Sequence, residues 1–383
     1  MIYILMFVLG ILFIRKGTPL KYLSSSDLIR SEGYTCEIHE IHTTDGYILE
    51  IHRIPPKVHK PNLKPVLLAH GLLFSSSMYV INGRNSFAFY LADLGYDVWM
   101  FNHRGNSISR KHEKLDYTKD RKEFFNYTLH EIATYDLTAT IDYVLERTGF
   151  KKLNYVGYSQ GGTIMYIMNS MKQEYNEKIS IAIMVATTSI MRNVYNLWIK
   201  VLSSIWAPIE GFCDEMKIYT VPGLSTFRRF FIRFSDPGWI RDWITLPLHC
   251  KTFMTQHVDE SLLPKLYYYF PTPPSMKQLF HYSQFIKTGK FRQYDYRKEE
   301  NLKRYNSEEP PTYNLKNITV PIAMYFSDSD TIATEKDMQI VSSLLPNVIY
   351  YKNVPSYQHA DFFNGVDQIE DLYKDFIQFL ENY

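Results

Sequence analysis

Cysteine is scarce in this sequence, which has only Cys36, Cys213 and Cys250 in 383 residues. Three thiols can form one disulfide at most, with one thiol left over, so the chain is not a disulfide-stapled scaffold. The paired Cys-x-x-Cys spacing typical of structural zinc sites is also absent. The sequence therefore predicts no metal site.

Net charge is equally small, because 42 Lys and Arg are balanced by 40 Asp and Glu, giving a formal charge of +2. This balance provides no electrostatic basis for binding nucleic acid, which requires a strongly basic surface. Apolar residues make up 45% and charged residues 21% of the chain, as in a globular protein with a sizeable core. Aromatic residues are abundant at 16%, which suits either ordinary core packing or a pocket for apolar ligands.

Long hydrophobic runs are missing beyond the N-terminus. The run from Met1 to Ile14 is ended by Arg15-Lys16. It is shorter than the about 20 apolar residues that span a bilayer, and it is typical of a signal-peptide core. We therefore expect a signal peptide over residues 1–20, cleaved somewhere between positions 17 and 26. The alternative is a signal anchor with Arg15-Lys16 on the cytoplasmic side.

Two glycosylation sequons agree with a secretory route. Asn126 and Asn317 each begin an Asn-x-Thr pattern, which is glycosylated when it lies on the surface of a secreted protein. We therefore expect both asparagines to carry glycans and the chain to enter the secretory pathway.

Strand-like and helix-like segments alternate through the first half of the chain. Short apolar runs end at Ala69, Met100 and Val185, and helical patterns such as Glu131 to Arg147 lie between them. A β-α-β-α-β order predicts an α/β fold with a mostly parallel sheet and helices on both of its faces.

The alternation stops in residues 189–308, which are helix-like, rich in aromatics and without strand-helix units. Sheet character returns at Val320. We predict a core built from residues 27–188 and 309–383, with residues 189–308 inserted as a largely helical cap. The aromatics of this cap form either an ordinary subdomain core or an apolar lid.

One short stretch has the pattern of a catalytic turn. The strand-like run that begins at Leu153 meets a helical pattern through Gly157-Tyr158-Ser159-Gln160-Gly161. A Gly-x-Ser-x-Gly motif between a strand and a helix is typical of a nucleophile elbow, a strained turn that exposes the serine hydroxyl. Gly157 and Gly161 avoid a Cβ where the strand and the helix approach closely. Ser159 is therefore the candidate nucleophile.

A serine hydroxyl is a weak nucleophile at neutral pH and needs a base within hydrogen-bond reach. Ser159, then an acid after a late strand, then a histidine near the C-terminus is the chain order of an α/β-hydrolase triad. His359 is the candidate base. Asp328 and Asp330 both lie in the loop where the acid is expected, and the residues alone give Asp330 a small preference. Asp361 is interpreted as a brace for the loop of His359.

The turn at residues 70–72 follows a predicted strand at the same edge of the sheet. Its glycine lets the chain turn close to the site, so that the N–H of Leu72 can point inward. Together with the N–H of Gln160, which follows the nucleophile, it would form an oxyanion hole. His70 itself is interpreted as a turn histidine bonded to nearby backbone.

These segments together resemble the animal acid lipases, a family that includes gastric lipase and lysosomal acid lipase. The similarity covers nearly the whole chain after the N-terminal run. It rests on Gly33-Tyr34, Thr44–Leu49, Arg53–Pro55, His70–Leu73, Leu91–Trp99, Asn102, Arg104–Asn106, Tyr135–Leu137, Ala139–Asp142, Gly157–Gly161, Gly289–Phe291, Tyr294-Asp295 and His359–Phe362.

The resemblance implies an α/β-hydrolase fold with a cap, in a secreted or lysosomal enzyme. It implies Ser159 as nucleophile, Asp330 as acid and His359 as base, with Leu72 and Gln160 as oxyanion donors. Aligning Asp330-x-x-Ala on the family's Asp-x-x-Ala selects Asp330 over its neighbour. The implied substrate is a neutral lipid, a triacylglycerol or a sterol ester, at a lipid–water interface. No cofactor, nucleic acid or obligate protein partner is implied.

The sequence departs from the family pattern at several positions. Tyr158 stands where the family usually has His before the nucleophile, and His103 stands where Ser is common. The loop that contains His103 is expected to be structural, with the neighbouring Arg104 binding backbone carbonyls or a carboxylate. Residues 327–329 replace a glycine-rich turn.

The leading hypothesis is a lipase that acts through an acyl-enzyme. Two alternatives use the same fold: a short-chain carboxylesterase or acyltransferase, and a lipid-binding or storage protein that has lost activity. Activity on emulsified long-chain ester would separate a lipase from an esterase. Labelling by a fluorophosphonate would separate an enzyme from a binding protein.

Overall fold

The computed structural model describes residues 23–58, 60, 62–221, 257–258, 262–365 and 367–383. The expected signal peptide lies outside these residues, as do segment 222–256 of the expected cap and Cys250 within it. None of the helices in the described part of the chain combines the length and apolar character needed to span a membrane.

A single mixed sheet runs through the described residues. Its order is β1-β2-β4-β3-β6-β7-β8-β9, with β5 beside β2. Along the spatial order β4-β3-β6-β7-β8-β9 every pairing is parallel, and the pairings of β2 with β1, β4 and β5 are antiparallel. The prediction of a mostly parallel sheet is confirmed. The strands are β1 Glu37–His42, β2 Tyr47–Ile54, β3 Val66–Ala69, β4 Val98–Met100, β5 Lys111–His112, β6 Leu153–Tyr158, β7 Ile179–Val185, β8 Ile322–Phe326 and β9 Val348–Asn353.

Helices follow most of these strands. The α-helices are α1 Ser25–Ser31, α2 Phe87–Asp93, α3 Arg121–Phe124, α4 Leu129–Glu131, α5 Thr138–Thr148, α6 Gln160–Met171, α7 Leu197–Glu215, α8 Leu263–Tyr269, α9 Met276–Thr288, α10 Lys298–Tyr305, α11 Glu335–Leu344, α12 Asp361–Asn364 and α13 Lys374–Asn382. The helix expected from Glu131 to Arg147 is interrupted by a π-helical stretch, Ile132–Leu137, between α4 and α5. It ends at Gly149, whose φ of +75° is a left-handed cap.

The core lies on both faces of the sheet. Val66 and Leu68 of β3 belong to one buried apolar cluster, and Leu67 and Ala69 belong to the other. Successive side chains of a strand point to opposite faces, so a strand covered by helices on both sides must be apolar throughout. This is why the central strands read as short continuous apolar runs in the sequence.

Part of the segment expected to form the cap also contributes to this core. Tyr282 and Phe285 of α9 and the following Phe291 belong to the same cluster as Leu67. Helix α9 begins with a reciprocal capping box between Ser275 and its third residue and ends at a left-handed glycine. From α9 onward the chain is therefore anchored to the body of the fold.

Parallel strands bring the loops at their carboxyl ends to one edge of the sheet, where ligands bind in open α/β folds. The loops after β3, β6, β8 and β9 all lie at this edge, because these strands are parallel to their neighbours. They contain every side chain predicted for the triad.

Candidate active site

The turn between β6 and α6 has the geometry of a nucleophile elbow. Ser159 has φ of +50° and ψ of −113°, a conformation that L-residues rarely adopt and that costs about 1–3 kcal/mol. Its N–H donates to the carbonyl of Val185 at 2.9 Å, which fixes the turn against β7. Helix α6 begins at Gln160, directly after Ser159, so the hydroxyl of Ser159 lies at the positive end of a helix dipole.

The two glycines of the elbow are sterically required. A Cβ on Gly161 would lie 2.0 Å from the carbonyl oxygen of Ala69, the last residue of β3. A Cβ on Gly157 would lie 2.8 Å from the backbone nitrogen of Gly162. Both distances are below any contact that a real Cβ makes, so a larger residue would push helix α6 away from the sheet.

Ser159, His359 and Asp330 form a continuous hydrogen-bonded series. The Nε2 atom of His359 lies 2.8 Å from the Ser159 hydroxyl oxygen, and its Nδ1 atom lies 2.8 Å from Oδ2 of Asp330. The Asp330 carboxylate is fully buried, whereas the imidazole is 12% exposed. A buried carboxylate bonded to Nδ1 leaves Nε2 free to accept the serine proton.

The two neighbouring aspartates have different partners. The second oxygen of Asp330 accepts from the N–H groups of Ile332 and Ala333 at 2.8 and 3.0 Å. Asp328 instead accepts from the side chain of Asn353 and from the Ser356 N–H, both at 3.2 Å. Asp328 therefore connects the loops after β8 and β9, while Asp330 contacts the candidate base.

The loop of the candidate base is braced from within. Asp361 accepts a hydrogen bond from the Gln358 N–H at 2.7 Å, as expected for a brace. His359 lies between these two residues in the chain, two positions before α12 begins.

The loop after β3 lies beside the elbow. Gly71 packs so closely that a Cβ on it would lie 3.3 Å from the Cβ of Ser159. Within the described part of the chain the Leu72 N–H forms no hydrogen bond. The N–H of Gln160 belongs to the first turn of α6, whose amides have no intrahelical acceptor. Thr272 holds this loop by donating from its N–H and its hydroxyl to the carbonyls of residues 73 and 74, at 2.7 and 2.8 Å.

His70 and His103 are structural, as expected. His70 contacts the carbonyl of Gly71 through Nδ1 at 2.8 Å, and His103 contacts the carbonyl of Arg104 in the same way. The two rings are fully buried with centroids 5.0 Å apart. Burial lowers the pKa of His70 to about 3 and that of His103 to about 4, so both rings are neutral at most working pH values.

Arg104 binds carboxylates. It donates to Asp136 at 2.7 Å and to Asp45 at 2.6 and 2.9 Å, and its guanidinium lies 3.9 Å from the ring centroid of Tyr47. A buried guanidinium that forms these bonds fixes the loop after β4, because its charge is paired and its donors are satisfied.

Sequence reasoning missed one contact at the site. The hydroxyl of Tyr158 donates to the carbonyl of His359 at 2.5 Å. The departure from the family pattern marks this position in the sequence, but its partner is 201 residues away and no local signal identifies it.

The two sequons differ in exposure. Asn126 is exposed, and its side-chain oxygen accepts from Lys277 at 2.6 Å. Asn317 is half-buried, and its amide donates to the carbonyl of Ser170 at 3.1 Å. Cys36 and Cys213 are both buried free thiols. Among the described residues no three His, Cys, Asp or Glu side chains come together in a group suited to a metal ion.

Two family models match this chain. A partial alpha/beta-hydrolase lipase region matches residues 25–83, and the alpha/beta hydrolase fold matches residues 64–220. The second match includes the elbow and the loop after β3.

Solved structures share the fold at low sequence identity. An esterase from Exiguobacterium antarcticum has a TM-score of 0.51 and 14% identity, covering 89% of this chain and 98% of its own. An alpha/beta hydrolase fold protein from Chitinophaga pinensis has a TM-score of 0.52 and 12% identity, covering 91% and 99%. These similarities establish the architecture.

Curated relatives are similar over almost the whole chain. Gastric triacylglycerol lipase from Bos taurus is 35% identical, covering 94% of this chain and 92% of the relative. Lipase 1 from Drosophila melanogaster is 35% identical, covering 94% and 80%, and human lipase member K is 34% identical, covering 96% and 93%. With identity at this level across an α/β-hydrolase fold, the chain belongs to the animal acid lipase family.

Proposed function

We propose that this chain is a lipase that hydrolyses the carboxylic ester bonds of neutral lipids, triacylglycerols first and sterol esters second. The observation that carries the proposal is the bonded series Ser159–His359–Asp330, with both hydrogen bonds at 2.8 Å. Relatives named as lipases, similar over nine-tenths of the chain, support ester hydrolysis as the reaction.

The reaction follows from the order of the hydrogen bonds in this series. The Ser159 oxygen attacks the ester carbonyl while Nε2 of His359 takes its proton. The imidazolium then gives the proton to the leaving alcohol, which leaves an acyl group on Ser159. Water activated by the same nitrogen hydrolyses this acyl-enzyme. Asp330 fixes the tautomer of His359 and stabilises its charged form.

Two backbone amides serve as oxyanion donors in this proposal. The N–H groups of Leu72 and Gln160 flank Ser159, from the loop after β3 and from the start of α6. Neither amide has a backbone acceptor among the described residues, so both can bind the negative oxygen of the tetrahedral intermediate. Loss of one such donor typically reduces kcat by about 10²–10³-fold.

Residues 189–308 act as the cap over this site in our proposal. Helix α7 supports this role, since Leu197, Val201 and Phe212 on it and Met216 directly after it are exposed apolar side chains. Cys213 of α7 packs with the buried side chains of Met276, Phe280 and Tyr294 in a small separate core. An apolar surface beside the site would suit a lipid–water interface.

The same proposal includes secretion or delivery to the lysosome, after removal of a signal peptide within residues 1–20. Asn126 and Asn317 are the proposed glycan sites. The exposure of Asn126 supports its modification more directly than the bonded amide of Asn317 does.

Replacement of the nucleophile tests the proposal. Ser159→Ala should reduce kcat on emulsified long-chain triacylglycerol by about 10⁴-fold or more, because no oxygen remains to form the acyl-enzyme. A fluorophosphonate should label the wild type and fail to label the variant. Turnover in a pH-stat on triacylglycerol, sterol ester and short-chain ester would rank the substrates.

Ser170→Ala is the matched control. Ser170 lies in the same helix α6, is buried and donates to the carbonyl of Ile167 at 2.9 Å, so this variant should retain activity and labelling. Full turnover by Ser159→Ala would refute the proposed nucleophile. A wild type that accepts only soluble short-chain esters would replace lipase by carboxylesterase.

A further inference from the structure

Tyr158 lies against the candidate base in two ways. It is the last residue of β6, directly before Ser159, and its side chain is 1% exposed. Its hydroxyl donates to the carbonyl oxygen of His359 at 2.5 Å. Its ring also lies beside the imidazole, with ring centroids 5.4 Å apart and planes inclined by 35°. One side chain therefore contacts both the backbone and the ring of His359.

The other side of the Tyr158 ring packs on the oxyanion loop. A Cβ on Gly71 would lie only 2.8 Å from Cε1 of Tyr158, so this glycine leaves the space that the ring occupies. Phe74, farther along the loop, meets the ring edge-on at a centroid distance of 6.5 Å. Phe363 closes the remaining side at 5.5 Å. The phenol thus fills the space between the loop of Leu72 and the loop of His359.

We propose that Tyr158 is a positioning residue that sets the distance between the base loop and the oxyanion loop. This inference rests on the proposed function, in which Ser159 and His359 are nucleophile and base. Ser159 and His359 must stay within hydrogen-bond reach for every proton transfer, and a small misplacement of a catalytic group reduces the rate strongly. Asp330 holds the imidazole through Nδ1, the nitrogen that does not face Ser159. Tyr158 instead holds the backbone from which that imidazole extends.

The brace does not change with pH over the working range. Burial raises the pKa of the Tyr158 hydroxyl well above its ordinary value of 10, so the hydroxyl remains a donor. Its contribution therefore appears in kcat at every pH at which the enzyme works, and not as a new limb of the pH profile.

Tyr158→Phe tests the inference, because it removes the hydroxyl and keeps the ring. We expect kcat on a soluble ester to fall about tenfold, with KM unchanged within about twofold because the acyl and alcohol contacts are untouched. The rate of fluorophosphonate labelling should fall by the same factor as kcat, since both depend on the Ser159–His359 bond. The shape of the pH–rate profile should be retained.

Tyr127→Phe is the matched control. The Tyr127 hydroxyl is buried and donates to a backbone carbonyl, that of Arg104, at 2.9 Å. Its ring also packs on a glycine, because a Cβ on Gly105 would lie 2.0 Å from its hydroxyl oxygen. Both variants should therefore lose similar thermal stability, while only Tyr158→Phe should lose kcat and labelling rate.

The outcomes separate the inference from the proposed function. An active wild type with an inactive Ser159→Ala and a fully active Tyr158→Phe would overturn the positioning role and leave the function standing. Equal losses of kcat in the Tyr158 and Tyr127 variants would also overturn the positioning role, because they would show that the loss of either buried hydroxyl lowers kcat by loosening the fold. A wild type without turnover or labelling would overturn both. If Tyr158→Phe does not fold, Tyr158→His, the residue usual in the family, also removes the phenol hydroxyl and should show the same loss.

Discussion

Two histidines at the same edge of the sheet have opposite environments. His359, in the loop after β9, lies between the carboxylate of Asp330 and the hydroxyl of Ser159, each at 2.8 Å. His70, directly after β3, has its ring nitrogens beside the Gly71 carbonyl and the Asn106 amide, at 2.8 and 3.4 Å. Only the first pair includes a carboxylate, whose negative charge stabilises a ring that gains a proton.

The difference shows that the partners of a histidine decide its chemistry, rather than its place after a strand. A carboxylate at Nδ1 stabilises an imidazolium, so His359 can take up and return a proton during turnover. Burial, together with the neighbouring His103, lowers the pKa of His70 to about 3. His70 therefore remains neutral and holds the shape of the oxyanion loop.

Replacing the two histidines in turn is the strongest test of this comparison. His359→Ala should reduce kcat by about 10⁴-fold or more, because Ser159 loses its base. His70→Asn, which keeps a donor for the Gly71 carbonyl, should retain activity within about tenfold. Steady-state kinetics with active-site titration would measure both. A larger loss for His70→Asn than for His359→Ala would reverse the two roles.

The two aspartates give the next largest contrast. Asp330→Asn should reduce kcat by about 10³–10⁴-fold, because the amide favours the wrong tautomer of His359. Asp328→Asn should change kcat by no more than about threefold, since Asp328 is exposed and contacts only the neighbouring loops. The assay is the same ester hydrolysis at the pH of maximal activity. Equal losses would mean that the acid is not yet assigned.

The smallest expected effect is on stability, and it comes from the buried histidines His70 and His103. Burial lowers the pKa of His103 from its ordinary 6.5 to about 4, whereas the unfolded chain takes up that proton near 6.5. The unfolded state therefore binds more protons as the pH falls from 6.5 to 4, and stability is lost over this window, by about 3 kcal/mol for His103.

His103→Asn should remove this contribution. The variant should lose less stability than the wild type between pH 7 and pH 4, measured by urea unfolding at each pH, with similar stability at pH 7. Asn can still donate to the Arg104 carbonyl. An unchanged slope of stability against pH would show that His103 is already protonated in the folded chain.

Much of the fold could be predicted from local patterns. The apolar runs expected to end at Ala69, Met100 and Val185 do end there, as strands β3, β4 and β7, and helix α6 follows the elbow as expected. These segments are short apolar runs or regular helical repeats whose period is decided locally. The strand β5 and the π-helical stretch Ile132–Leu137 were not predicted, because a two-residue pairing and a bulge in a helix leave no periodic signal.

The sequence by itself determined the elements and their order: a strand, the Gly-x-Ser-x-Gly turn and a helix, followed late in the chain by an acid and then a histidine. Local backbone preferences and hydrophobic periodicity are sufficient for that. Only the tertiary structure decided that Asp330 contacts His359 while Asp328 does not, and that Tyr158 lies between His359 and Gly71. These contacts join loops far apart in the chain, and they exist because the parallel order β3-β6-β7-β8-β9 brings the ends of those strands to one edge.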